Sequence, residues 1–112
     1  AICSVARLNL GRLYNDDNGA ELSELIEKEV RAVAAAQGIV VGPTPRMKGK
    51  LPPDFPHVPS TAQDVLAKKQ TEIDTINGAV SRLGRKYGVP TPYCDCMTML
   101  IKLIQANYEY MK

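Results

Sequence analysis

Apolar residues recur three and four positions apart over most of this chain, the spacing that keeps them on one face of an α-helix. Ile2, Val5 and Leu8 start such a series, which predicts the stump of a helix running to about Tyr14. The cluster Asn15-Asp16-Asp17-Asn18-Gly19 then supplies a strong turn signal. A second helix follows, with Leu22, Leu25, Ile26, Val30, Val33 and Ala34 on its apolar side. Glu21, Glu24 and Glu27 fall early in it, where the helix dipole favours anions, and Gly38 provides the stop.

Between Ile39 and Pro59 the chain places most of its eight prolines, and this stretch reads as an extended loop. Within it only the short Ile39-Val40-Val41 resembles a strand. Ser60-Thr61-Ala62-Gln63 has the S-x-x-Q form of a capping box, so a helix is expected to start there. Val65, Leu66, Ile73, Ile76, Val80 and Leu83 carry the helical pattern to Tyr87, as one kinked helix or two, until Gly88 and Pro90 end it. Gly78 would lie mid-helix, where glycine costs about 1 kcal/mol against alanine, and close helix packing is the expected reason for it. A last helix should begin near Thr91-Pro92 and carry the stripe Tyr93, Met97, Leu100, Ile101, Ile104, Tyr108 and Met111. The fold class is therefore all-α, a compact domain of four to five helices without an internal repeat.

Composition narrows the function more than the fold. With 112 residues, 45% hydrophobic and 23% charged, the chain is one globular domain. Its 14 basic and 12 acidic residues are interspersed, which argues against nucleic acid as a partner. No apolar run is long enough to span a bilayer, so no membrane role is expected. The odd count of three cysteines, Cys3, Cys94 and Cys96, fits reduced thiols and a cytoplasmic protein. The chain opens at Ala1 inside an apolar stretch and reads as a fragment.

Several constellations that carry chemistry are missing. No G-x-G-x-x-G provides the close backbone approach a dinucleotide needs. His57 has no second imidazole, and Cys94 and Cys96 would point roughly 200° apart on a helix, so no metal site and no Cys/His nucleophile pair is expected. Read alone, Ser60 is a helix cap, Glu72 a solvated charge and the Lys68-Lys69 pair a solvated face.

What remains is Ser60-Thr61-Ala62-Gln63-Asp64-Val65, then Thr71-Glu72-Ile73-Asp74-Thr75-Ile76-Asn77-Gly78, then Gly88-Val89-Pro90-Thr91-Pro92. These blocks, in this order, resemble the C-terminal signature of the ketopantoate reductases (2-dehydropantoate 2-reductases). That signature reads roughly S-x-x-Q-D, a spacer, T-E-I-D-x-I-N-G, and G-I-x-x-P. Asn18-Gly19-Ala20-Glu21-Leu22 is similar to the family's N-G-E-L with one residue inserted, and Ile101-Lys102 also fits.

The resemblance implies a fold like the C-terminal domain of 6-phosphogluconate dehydrogenase. It also implies an N-terminal Rossmann domain, absent from this chain, that binds NADP. Residues 1–112 would then be the substrate and dimerisation half, inactive alone. A 2-keto acid would lie in the cleft between the halves, with a homodimer as a further partner. In the family, hydride reduces the keto carbon of 2-dehydropantoate in pantothenate biosynthesis, and a lysine protonates the alkoxide. Ser60 corresponds to the substrate-binding serine, Asn9 to a substrate-binding asparagine, and Glu72 to the acidic residue at the catalytic and cofactor cleft. On one straight helix Ser60 and Glu72 would stand about 18 Å apart, so sharing one small site requires that the helix bend or that the bound molecules span it.

The family's K-x-x-x-N-x-x-x-N is not fully matched. If Asn9 takes the last place, Val5 and Ala1 take the others. With the single-residue insertion the lysine falls before Ala1 instead. A helical interaction module that has lost catalysis, or a reductase of another 2-keto acid, is the alternative.

Overall fold

The computed structural model describes residues 1–42, 52, 55 and 57–111. Among these are six α-helices, two short 3-10 turns and no strand. The helices are α1 (Ile2–Ala6), α2 (Leu10–Asn15), α3 (Asp17–Ala36), α4 (Ser60–Leu66), α5 (Asn77–Tyr87) and α6 (Pro92–Ala106). The all-α expectation holds. The extra helix arises because the first predicted segment breaks at Arg7, which adopts a left-handed conformation (φ 59°).

Each break has a local cause. Asn9 caps α2, its Oδ1 accepting the Arg12 N–H at 2.9 Å. Asp16 caps α3 by accepting from the N–H groups of Asn18 and Gly19, so the predicted turn cluster is also the first turn of the long helix. The Thr61–Tyr87 segment is not one helix: α4 stops at Leu66, Lys68 is left-handed (φ 54°), and a 3-10 turn (Ile73–Thr75) precedes α5. Gly78 therefore sits in the first turn of α5, not mid-helix, so the interior penalty does not apply. A Cβ there would still stand 3.1 Å from the Ile73 carbonyl and from Asp74 Oδ1.

The capping box is also corrected. Pro59 is the cap residue, Ser60 is the first helical residue, and Gln63 Nε2 donates to the Val58 carbonyl at 2.6 Å instead of accepting from a backbone amide. At α6 the expectation holds, with Thr91 as cap and Pro92 in the first turn. Ile39, Val40 and Val41 form no strand and are exposed. The extended-loop reading of 39–59 falls largely on residues 43–51, 53, 54 and 56, which lie outside the described residues.

The helices pack as α1 on α4, α2 and α5 on α3, and α6 across α3 and α5. Ile73, Cys94 and Ile101 are the most deeply buried side chains, with Met97, Val33 and Val65 beside them in burial. Cys3, Leu13 and Ala62 form a buried cluster flanked by Ile2, Leu10, Tyr14 and Val58. Gly84 is fixed by close approach. A Cβ there would meet the Val89 carbonyl at 2.7 Å and the Thr91 methyl at 2.8 Å.

One charged residue lies within this core. Glu29, in the middle of α3, is only 7% exposed. Its carboxylate accepts the Tyr93 N–H and the Cys94 N–H, each at 2.8 Å. These are among the free amides at the start of α6, so a side chain 64 residues away in sequence supplies the cap that α6 lacks locally. Glu29→Ala should lower stability by about 2–4 kcal/mol, the sum of two charge-assisted hydrogen bonds and the amides left unpaired. Urea unfolding should show this as a lower midpoint at unchanged slope, with Glu29→Gln intermediate.

Candidate functional site

The three residues singled out by the sequence end up in different settings. Asn9 occupies the α1–α2 junction, its side-chain oxygen committed to the α2 cap. Ser60 is exposed on the first turn of α4. Glu72 is exposed where the chain enters the 3-10 turn, and its carbonyl accepts from Thr75 N–H and Oγ1. The helix breaks after Leu66, with Lys68 left-handed, so Ser60 and Glu72 do not stand on one straight helix.

A cavity of about 240 Å³ lies between α1 and α4. Asn9 lines it, and Ser60 and Glu72 do not. Val58, Ala62, Val65, Leu66, Leu8 and Met111 give it apolar walls, while Ser4, Arg7 and Lys68 bring the polar chemistry. Ser4 is almost fully buried, yet its Oγ has no hydrogen-bond partner among the described residues. Arg7 and Lys68 are the only non-glycine residues with positive φ among those described, and both belong to this cavity. Lys68 Nζ donates to the Met111 carbonyl at 2.7 Å. Burial raises the thiol pKa of Cys3 at the cavity wall, which keeps that group neutral.

Sequence reasoning did not single out Ser4 or Arg7, and it read Lys68 with Lys69 as a solvated face. No local signal marked these positions, because α1 and α4 both end without the glycine that usually takes a left-handed position after a helix.

Residues 1–105 match the family described as ketopantoate reductase PanE/ApbA C terminal. The chain belongs to this family. A 2-dehydropantoate 2-reductase of Streptococcus pyogenes serotype M3 is 32% identical over 108 residues, covering 93% of this chain and 35% of that enzyme. Among solved structures, D-mandelate dehydrogenase with NADH and anilino(oxo)acetate superposes with a TM-score of 0.84 at 34% identity. That match covers 95% of this chain and 46% of the dehydrogenase. A PanE/ApbA family ketopantoate reductase from Ralstonia eutropha JMP134 gives 0.82 at 28% identity, over 96% of this chain and 37% of the other. The ketopantoate reductase C-terminal chain thus spans less than half the length of each of these proteins.

The α1–α4 cavity, at about 240 Å³, is too small for a whole dinucleotide, and the chain carries no G-x-G-x-x-G. Among the described residues no group of three or more His, Cys, Asp or Glu side chains could hold a metal ion, and no helix is long and apolar enough to cross a membrane. His57 is exposed, its ring 6.5 Å from that of Phe55.

The cysteines divide by burial. Cys94 is fully enclosed, with Asn77 Nδ2 3.8 Å from its sulfur. Burial first, and the neighbouring Glu29 carboxylate second, push its pKa up to about 12. Cys96, two residues on, is exposed. A thiol reagent at pH 8 should therefore modify Cys96 rapidly, and Cys3 and Cys94 only after denaturation. Because the folded Cys94 pKa lies above its reference value of 9.0, its contribution to stability is whole below pH 9. It should be lost as pH climbs from there toward 12, and thermal melts across that range check it.

Proposed function

We propose that this chain is the helical, substrate-binding half of an NADPH-dependent 2-dehydropantoate 2-reductase that reduces ketopantoate to pantoate in the cytoplasm. The observation that carries this reading is the family match, which runs through residues 1–105 and so includes every signature block. The S. pyogenes relative bears that enzyme's name and extends far beyond the matched region. A Rossmann domain on the same polypeptide would bind NADP, and residues 1–112 would close over the 2-keto acid.

Within the proposed cleft, Ser60 and Asn9 bind substrate. Asn9 has its side-chain oxygen occupied by Arg12 N–H, which leaves the amide Nδ2 as the group able to donate to a substrate oxygen. Glu72, exposed just before the 3-10 turn, stands ready to meet groups from the other half of the cleft. The cofactor supplies hydride when bound. The residues of this chain contribute binding, orientation and exclusion of water.

The apolar surface supports a covered rather than a free domain. Met99 and Leu103 on α6 and Tyr110 beyond it are 65%, 60% and 76% exposed. They suit contact with the Rossmann domain or with a second copy in a homodimer.

The D-mandelate dehydrogenase likeness favours a second reading, reduction of a different 2-keto acid with NADH. The full-length polypeptide mixed with either NADPH or NADH and either 2-dehydropantoate or phenylglyoxylate, followed at the nicotinamide absorbance, separates the two. The expected result is oxidation of NADPH with 2-dehydropantoate. Ser60→Ala and Glu72→Ala should each lower kcat/KM by about 10- to 100-fold, the worth of one hydrogen bond to a charged group. Absence of turnover with all four combinations would overturn the reductase assignment and leave a helical interaction module in its place.

A further inference from the structure

We infer that Lys102 and Gln105, neighbours on one face of α6, are positioning residues that clamp the backbone on both sides of Glu72 and so fix where its carboxylate stands. This deepens the reductase reading and rests on it for the role of Glu72.

Glu72 has little of its own to hold it. Its side chain is exposed, and the chain around it belongs to no α-helix, since α4 has stopped at Leu66 and α5 starts at Asn77. A carboxylate on such a segment samples many positions unless the residues beside it are tied down. Thr71 and Ile73, immediately before and after it, are buried. Glu72 is thus the outward residue between two inward ones.

The ties come from α6. Gln105 Oε1 accepts the Thr71 N–H, one residue before Glu72. Lys102 Nζ stands 2.8 Å from Asp74 Oδ1, two residues after it. Residues three apart on a helix are surface neighbours, so a single face of α6 reaches both flanks of Glu72. Helix α5 adds another tie, because Arg82 Nη2 donates to the Asp74 carbonyl at 2.8 Å. Within the turn, the Thr75 N–H and Oγ1 both donate to the Glu72 carbonyl, which holds the peptide that follows the carboxylate.

Stability is a poor reason for the Lys102–Asp74 pair. Both side chains are more than half exposed, and ion pairs in that setting add little to the folding free energy. The consequence of the pair is geometric: it sets where the segment lies on α6, not whether the domain folds. Neither Lys102 nor Gln105 lines the α1–α4 cavity, so their effect should pass through Glu72 alone.

The test combines hydrogen exchange, read by mass spectrometry, with steady-state kinetics on NADPH and 2-dehydropantoate, both on the full-length polypeptide. Lys102→Met and Gln105→Leu should each speed exchange of the amides of residues 71–76 by about fivefold or more, with the amides of α3 unchanged. Each should lower kcat/KM on the order of tenfold, the usual size of a small misplacement of a reacting group or larger. Lys102→Arg keeps the ion pair and should stay within about twofold of wild type. Added to Glu72→Ala, Lys102→Met should cost less than about twofold more, because the two residues act as one unit.

A merely structural role would instead lower kcat/KM equally with and without Glu72, and that result would overturn the inference. Unchanged exchange of residues 71–76 in either variant would overturn it as well. If the wild type turns over no 2-keto acid, the reductase reading fails by itself, and the exchange of residues 71–76 still decides for or against the clamp.

Discussion

The carboxylate of Glu29 is the constraint on which the arrangement of helices depends. Helix α6 begins with Pro92 and Tyr93, and Thr91 makes no side-chain capping bond to it. Its first amides would be left facing the interior, and Glu29 meets two of them at 2.8 Å. The bond pair fixes α6 against the middle of α3 in both position and direction, because a carboxylate can accept two adjacent amides from one side only. A hydrophobic contact at the same place would bury comparable area without specifying which turn of α6 meets which turn of α3.

Two consequences follow from that anchor. Cys94, whose N–H is one of the captured amides, is driven into the core, where its thiol is too poor an acid to react near neutral pH. The chain reversal between α5 and α6 must also be tight, because α6 cannot slide along α3 to make room. Gly88 turns the chain with φ 71°, and Gly84 allows the Val89 carbonyl and Thr91 to lie directly on α5. The Gly88-Val89-Pro90-Thr91-Pro92 block thus has a mechanical reason to keep glycine and proline in these places, independent of any ligand.

The regular parts of this architecture were legible because periodicity reports burial. The Thr91-Pro92 start of α6, the stripe through Met97 and Ile101, and the α3 face around Val33 all follow from spacing. The breaks were not legible for a common reason: Arg7 and Lys68 hold left-handed backbone without being glycine, so nothing in the sequence marks α1 or α4 as ending there. Glu29 escaped notice because an acidic residue at mid-helix reads as solvated, and only its distant partners make it interior. The family blocks were visible as sequence, and they gave Ser60, Asn9 and Glu72 as expectations. They could not show that the α1–α4 cavity collects Asn9 but neither of the others.

That separation leaves Ser60 and Glu72 outside the cavity that Asn9 lines. The signature residues Ser60 and Glu72 are exposed at the ends of short elements, where they can meet groups brought by another domain. The α1–α4 cavity instead draws its walls from two helices and from Met111 near the C-terminal end. Lys68 ties those parts together through its bond to the Met111 carbonyl. The segment from Lys68 leads directly into the exposed Glu72. The covalent path between the two is four residues long, and Thr71 within it is held to Gln105 of α6 through its N–H. Any displacement at Lys68 thus reaches Glu72 only through a segment pinned to α6, the helix that Glu29 itself holds in place.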